Sequence, residues 1–231
     1  MRPANALITD NPAMQEYYRE KYGVDSFYIP YGAESGYGAD ETVYKQLGLV
    51  PSCYLLVLAR LEPENNTTPI IEKYVKSKVT MPLVIVGDSP YDVDYMVRLR
   101  ELANERVLFV GRINDQAKLN ALYKGAYLYL HGHEVGGTKP SLLRAMHAGA
   151  VPVVIDVPFN TSVIGETGFP FGRKPGQLSI LLQHLVLHPD QMREIGGNAR
   201  VLVERNFTWK RVVKDHENLF RKFTAGKSNH D

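Results

Sequence analysis

The chain has 231 residues, room for one full α/β domain or one domain plus a fragment. Hydrophobic residues at 44% and charged residues at 23% exclude global disorder, and a net charge of +2 is too small to advertise nucleic acid as a partner. A single cysteine, Cys53, excludes an intrachain disulfide framework, and no apolar run approaches the roughly 20 residues that cross a bilayer.

The first residues, Met1 to Ala6, lack the apolar centre of a secretory signal, so the expectation is a soluble, cytoplasmic protein. Ala6–Thr9 then reads as a short strand. Asp10 or Asn11 caps a helix with Pro12 in its first turn, ending near Gly23. Phe27–Pro30 is a second apolar run. Residues 34–40, with Gly36 and Gly38, read as a loop or linker before a short helix that ends at Gly48.

From Tyr54 a regular alternation begins. Strands are predicted at Tyr54–Ala59, Leu83–Val86, Arg106–Val110, Tyr127–His131 and Val151–Ile155. Helices are predicted between them at Thr67–Lys78, Val93–Ala103, Asp115–Tyr123 and Pro140–Ala148, the last closed by Gly149. Such near-continuous Val/Ile/Leu strands separated by helices predict a doubly wound, Rossmann-like parallel sheet covered on both faces. Three helices follow, Gly176–Leu187, Pro189–Asn206 and Trp209–Phe223, before a polar, frayed tail at 224–231.

Ligands of such sheets bind at the carboxyl ends of the strands, so the chemistry is expected at Arg60, Gly87-Asp88, Gly111-Arg112, the run His131-Gly132-His133-Glu134, and Asp156. The segment HGHEVGGTKPSLLRAMHAG, residues 131–149, is the most informative. Its glycine pair allows close backbone approach, Thr138 is placed to cap a helix with Pro140 in its first turn, and Lys139 adds positive charge beside free amides. This is either an anion site or a plain strand-to-helix turn. In ARLEPENN, residues 59–66, Arg60 either grips a diphosphate in the crevice or pairs with Glu62 or Glu64 on the surface.

Together, ARLEPENN, VGRI at 110–113 and EVGGTKPSLLRAMHAG resemble the donor-binding, C-terminal half of a family 4 (group 1) glycosyltransferase of the two-domain GT-B fold. Within that family the chain most resembles bacterial rhamnosyltransferase-like enzymes of polysaccharide assembly, which show RLEPENN and GGTNPSLLEAM. The resemblance runs from about Leu7 to Phe223 and includes the tail NARVLVERNFTWKRVVKDHENLF. It implies residues 1–30 as the end of an acceptor domain and crossover, 31–206 as the donor domain, and 207–223 as a helix packed back on the acceptor domain.

The resemblance also implies a nucleotide-diphosphate-sugar donor, no cofactor or required metal, and transfer with retention. The acceptor would be a glycan or lipid-linked molecule held by an N-terminal domain that is absent here beyond residues 1–30, with peripheral membrane association open to the full-length protein. By position, Arg60 matches the diphosphate-binding arginine, and Asn65 stands where most members have lysine. Gly111, Arg112 and Ile113 match the segment that meets the nucleobase, and Gly32 the glycine loop facing the donor phosphates. Gly137, Thr138, Lys139, Pro140 and Ser141 match the amide-rich helix start, with His131 lining the crevice. Catalysis would be electrostatic, with Arg60, Lys139 and the amides stabilising the departing diphosphate.

Two positions depart from the family. Its Glu-x7-Glu pair falls on Gly136 and Arg144, both expected at the donor; a guanidinium accepts no hydroxyl hydrogen bonds, so Arg144 either pairs with phosphate or marks weakened donor binding. Glu134 is near enough in sequence to stand in for the first glutamate. A catalytically silent nucleotide-sugar module is the alternative, and a receiver-like signalling domain a further one. His131 and His133 alternate in strand register without a third metal ligand at suggestive spacing, and Asp92-Val93-Asp94 opens a helix. Tyr123, Tyr127 and Tyr129 read as packing residues.

Overall fold

The computed structural model describes residues 5–33, 38–89 and 92–225. Residues 34–37 of the expected linker, with Gly36, and 226–231 of the expected tail lie outside the described residues.

Six strands form one parallel sheet: β3 (Leu55–Leu58), β4 (Leu83–Val86), β5 (Val107–Gly111), β6 (Leu128–His131), β7 (Val151–Ile155) and β8 (Phe169–Phe171). Their order across the sheet is β5-β4-β3-β6-β7-β8. This is the order 3-2-1-4-5-6 of doubly wound dinucleotide folds, not the 2-1-3-4-5 order of receiver domains. Leu55, Val57, Leu83, Ile85, Leu128 and Leu130 face one layer, formed by α3 (Thr67–Val75), α4 (Val93–Leu102) and α8 (Gln177–Leu185). Leu56, Val84, Val86 and Tyr129 face the other, formed by α5 (Gln116–Gly125), α6 (Pro140–His147) and α9 (Pro189–Asn206). Both faces are buried, which is why the strands read as unbroken apolar runs. Tyr123 and Tyr129 are packed inside.

Two elements were not expected: α7 (Pro158–Ile164) and the edge strand β8. Neither spans two full repeats of its period, and Phe169-Pro170-Phe171 carries a proline, which weighs against reading a strand from the sequence. Asp92 accepts from the Tyr95 N–H and caps α4, so Asp92-Val93-Asp94 opens a helix as expected.

The N-terminal residues form a separate unit. β1 (Ile8–Thr9) and β2 (Phe27–Tyr28) pair in parallel around α1 (Pro12–Tyr22), with α2 (Thr42–Leu47) leading into the main sheet. The last helix, α10 (Trp209–Ala225), returns to this unit, and its Val212, Leu219 and Phe223 pack against Ile29. Asn11 fastens the unit to the sheet domain. Its Oδ1 accepts from the Ala13 N–H at 2.9 Å and caps α1, while its Nδ2 donates to the Phe159 carbonyl in α7 at 2.9 Å.

Asn11 is wholly buried, so Asn11→Ala removes the cap of α1 and the tie to α7 and leaves a small void. The expected cost is about 1–3 kcal/mol, read as a lower urea midpoint. An unchanged midpoint contradicts this role.

Candidate functional site

The sheet order reverses between β3 and β6, where the two crossovers leave in opposite directions and a crevice opens beyond the strand ends. Two cavities meet there. One, of 220 Å³, lies between β3 and β6 and is lined by Arg60, Asn65, His131, His133, Lys139 and Ser141, among others. The second, of 520 Å³, lies over β3, β4 and β5 and is lined by Arg60, Gly87, Asp88, Arg112, Ile113 and Leu119. Leu58, Ala59 and Arg60 border both, so the two form one cleft with Arg60 at its middle. Among the described residues, Arg60, Arg112 and Lys139 face a single lining carboxylate, Asp88, which leaves the cleft positive.

Arg60 keeps 77% of its side chain exposed and reaches Glu62 at 3.5 Å. In water such a pair is worth at most about 1 kcal/mol, so the guanidinium is held loosely beside the cleft. The backbone beneath it is fixed instead. Asn65 Nδ2 donates to the Arg60 carbonyl at 2.7 Å, and Asn65 Oδ1 meets His133 Nδ1. Asn66, in left-handed backbone at φ 52°, donates to the Gly132 carbonyl at 2.8 Å and to Glu134 Oε1 at 2.8 Å. The two asparagines thus bolt the loop after β3 to the loop after β6. Asn65 lines the cleft but spends its amide on this brace.

Three other expected residues are also engaged elsewhere. Glu134 has one carboxylate oxygen on Asn66 and the other on Arg173, and it does not line either cavity. Arg144, on the third residue pair of α6, points to α5, where it donates to Asn120 Oδ1 at 2.8 Å and lies 5.2 Å from the centre of the Tyr123 ring. Gly32 lies against Trp209 of α10, where a Cβ would approach the indole to 2.7 Å.

The loop after β6 ends in α6. Its capping residue is Lys139, not Thr138, and no side chain caps the helix. The reason is Thr138's hydroxyl, which donates instead to the Asp10 carbonyl of the N-terminal unit. With Pro140 at the first position, the amides that follow carry the positive end of the helix dipole into the 220 Å³ cavity, where Ser141 lies. Lys139 Nζ donates to the Val135 carbonyl at 2.8 Å beside Gly136. Burial pushes its pKa down, partly offset by Asp10. On the far side, Gly111 and Arg112 end β5, with Arg112 Nε donating to Asn114 at 2.9 Å.

His131 closes the floor. It stacks on Tyr129 with ring centres 5.9 Å apart and is 5% exposed, and its Nε2 has no partner among the described residues. Burial pushes its pKa down to about 3, helped by His133 and Lys139. The ring is therefore neutral at physiological pH and offers an unspent polar nitrogen to whatever fills the cavity.

The chain matches the family described as "Glycosyl transferases group 1" over residues 53–186, more than half its length and including the whole cleft. It belongs to that family. An uncharacterized glycosyltransferase of Methanocaldococcus jannaschii is 27% identical in a 175-residue alignment that covers 66% of this chain and 42% of that protein. D-rhamnosyltransferase WbpZ of Pseudomonas aeruginosa is 29% identical over 134 residues, 55% of this chain and 35% of that protein. The chain thus spans about two fifths of the length of these relatives. Among solved structures, sucrose-phosphate synthase of Thermosynechococcus elongatus superposes with a TM-score of 0.83 at 20% identity, over 97% of this chain and 60% of that one. HepE of Anabaena in complex with UDP gives 0.78 at 17% identity, over 96% and 64%. These likenesses establish the parallel α/β fold of GT-B glycosyltransferases.

Residues that the sequence reading left out include Asn66, Arg173 and Asp10. Asp10 follows a strand that proves parallel, the position already favoured for chemistry elsewhere in the chain.

The depressed pKa of His131 fixes a sign. The unfolded state takes up a proton near 6.5 and the folded state only near 3, so the stability from the neutral ring is complete above 6.5 and is lost as pH falls through that window. Urea midpoints measured from pH 7.5 to 4 should fall more steeply for the wild type than for His131→Asn. Parallel curves would contradict the assignment.

Proposed function

We propose that the chain carries the donor site of a glycosyltransferase, binding a nucleotide-diphosphate sugar across the cleft. The single observation behind this reading is the position of Arg60 on the rim shared by the two cavities at the switch point. The 520 Å³ cavity, with Arg112 and Ile113, takes the base and ribose. The 220 Å³ cavity takes the diphosphate and the start of the sugar, against the α6 amides, Lys139, Ser141 and His131. Arg60 spans the junction, where its fork suits a diphosphate.

The chemistry follows from charge. When the bond from the sugar to the diphosphate breaks, negative charge grows on the leaving oxygen. Arg60, Lys139 and the α6 amides lie where they stabilise it. In this reading no resident cofactor is called on. An acceptor hydroxyl attacks from the leaving-group face, giving retention, and its proton passes to the departing phosphate. The shared RLEPENN and GGT patterns and the likeness to a D-rhamnosyltransferase support a rhamnose-type donor sugar.

The acceptor belongs to the other side of the cleft. Ile8, Tyr17, Tyr22 and Phe27 of the N-terminal unit, and Trp209, Val213 and Phe220 of α10, expose large apolar surface on neighbouring elements. Such a surface suits a docked domain, here the acceptor-holding one.

Calorimetric titration with UDP, GDP and dTDP tests the donor reading. At least one should bind, and Arg60→Ala should weaken it roughly 10- to 100-fold, the loss of one charge-assisted fork. No binding by any of the three, or binding indifferent to Arg60, contradicts it.

A further inference from the structure

A sugar presents hydroxyls, and its recognition needs acceptor groups near the diphosphate end of the cleft. The α6 start offers few. Gly136 has no side chain, Arg144 is turned onto α5, and Glu134 has both carboxylate oxygens engaged by Asn66 and Arg173. One further carboxylate reaches this loop from outside the sheet domain, where it lines neither part of the cleft but a separate 360 Å³ cavity with Ile29, Tyr31 and Trp209.

Asp10 follows β1 and lies directly on Gly137. A Cβ at position 137 would fall 1.7 Å from Asp10 Oδ1 and 2.1 Å from Oδ2, so the glycine is required by the carboxylate rather than by its own backbone conformation. The contact is held in register by Thr138, whose hydroxyl donates to the Asp10 carbonyl. Among the described residues no side chain donates a hydrogen bond to this carboxylate and no cation pairs with it. Two influences act on it in opposite senses. Half-burial raises its pKa, while the Lys139 charge and the Thr138 amide pull the pKa back. A carboxylate that is half-buried, fixed at its backbone and left with unspent acceptor capacity is costly to maintain unless something uses it.

We infer that Asp10 is the sugar-hydroxyl ligand of the donor site, supplied by the N-terminal unit across the Gly136-Gly137-Thr138 loop. The inference rests on the donor reading and extends it. The cleft holds the nucleotide diphosphate with the sheet domain's own residues, and the sugar is recognised where the N-terminal unit closes over it. Asp10 thereby reads the sugar and not the nucleotide, and Asn11, the next residue, anchors it by tying the unit to α7.

This separates two affinities. The full chain is titrated with matched pairs: UDP and UDP-glucose, GDP and GDP-mannose, dTDP and dTDP-rhamnose. In the wild type, at least one nucleotide-sugar should bind more tightly than its bare nucleotide. Asp10→Asn should lower that sugar's affinity roughly 10- to 100-fold while changing the nucleotide's by less than about 2-fold. Asp10→Glu, too long for the notch at Gly137, should lose the same increment and serves where Asp10→Asn fails to fold. Equal weakening of both ligands makes Asp10 a support of the loop and overturns the inference. Tighter binding of both makes it an internal anion that competes with phosphate, and an unchanged pair likewise overturns it. If the wild type binds none of the six, the donor reading itself falls, a distinct result.

Discussion

Two parallel strands whose crossovers leave in opposite directions cannot close the space above their carboxyl ends, and here that space lies between β3 and β6. The rest of the cleft depends on keeping these two ends a fixed distance apart. Asn65 and Asn66 perform that task, Asn65 by joining the Arg60 carbonyl to His133 and Asn66 through the Gly132 carbonyl. Each bond to a buried carbonyl contributes about 1 kcal/mol, yet losing one strands a polar group at larger cost. The brace also accounts for asparagine at position 65. A lysine there could not span the Arg60 carbonyl and His133 together.

Charge in the molecule is local. A net +2 says nothing of a site, but three cations converge on the cleft and one carboxylate opposes them. The start of α6 is left without a side-chain cap because Thr138 is drawn to the N-terminal unit. One residue thus couples two functions: it joins the two units and keeps the helix amides open to an anion. Neutral His131, with its orphaned nitrogen, adds a polar point that does not compete for positive charge.

The parallel sheet, its strand bounds and most helices were legible because burial on both faces writes itself as apolar runs of four or five residues. β4 and β7 fall where the pattern put them. α7 and β8 were illegible because, at seven and three residues, neither completes two repeats of its period. At the site, strand ends pointed to Arg60 and His131, the helix start to Lys139 and the family resemblance to Ser141, and all four line the 220 Å³ cavity. None of these signals could foresee which polar groups would be spent on one another. Glu134 looked available until Arg173, 39 residues away, was folded against it. Asp10 and Asn11 both read as caps of the first helix, and Asn11 is the one that caps it.

In the proposed donor site an anion is held at the start of α6 opposite Arg60. Amide hydrogen exchange with and without a saturating nucleoside diphosphate reads that contact residue by residue. Slowed exchange is expected in residues 59–66 and 132–143, with α8 and α9 unaffected. Protection confined to other segments, or none at all under saturation, would contradict it.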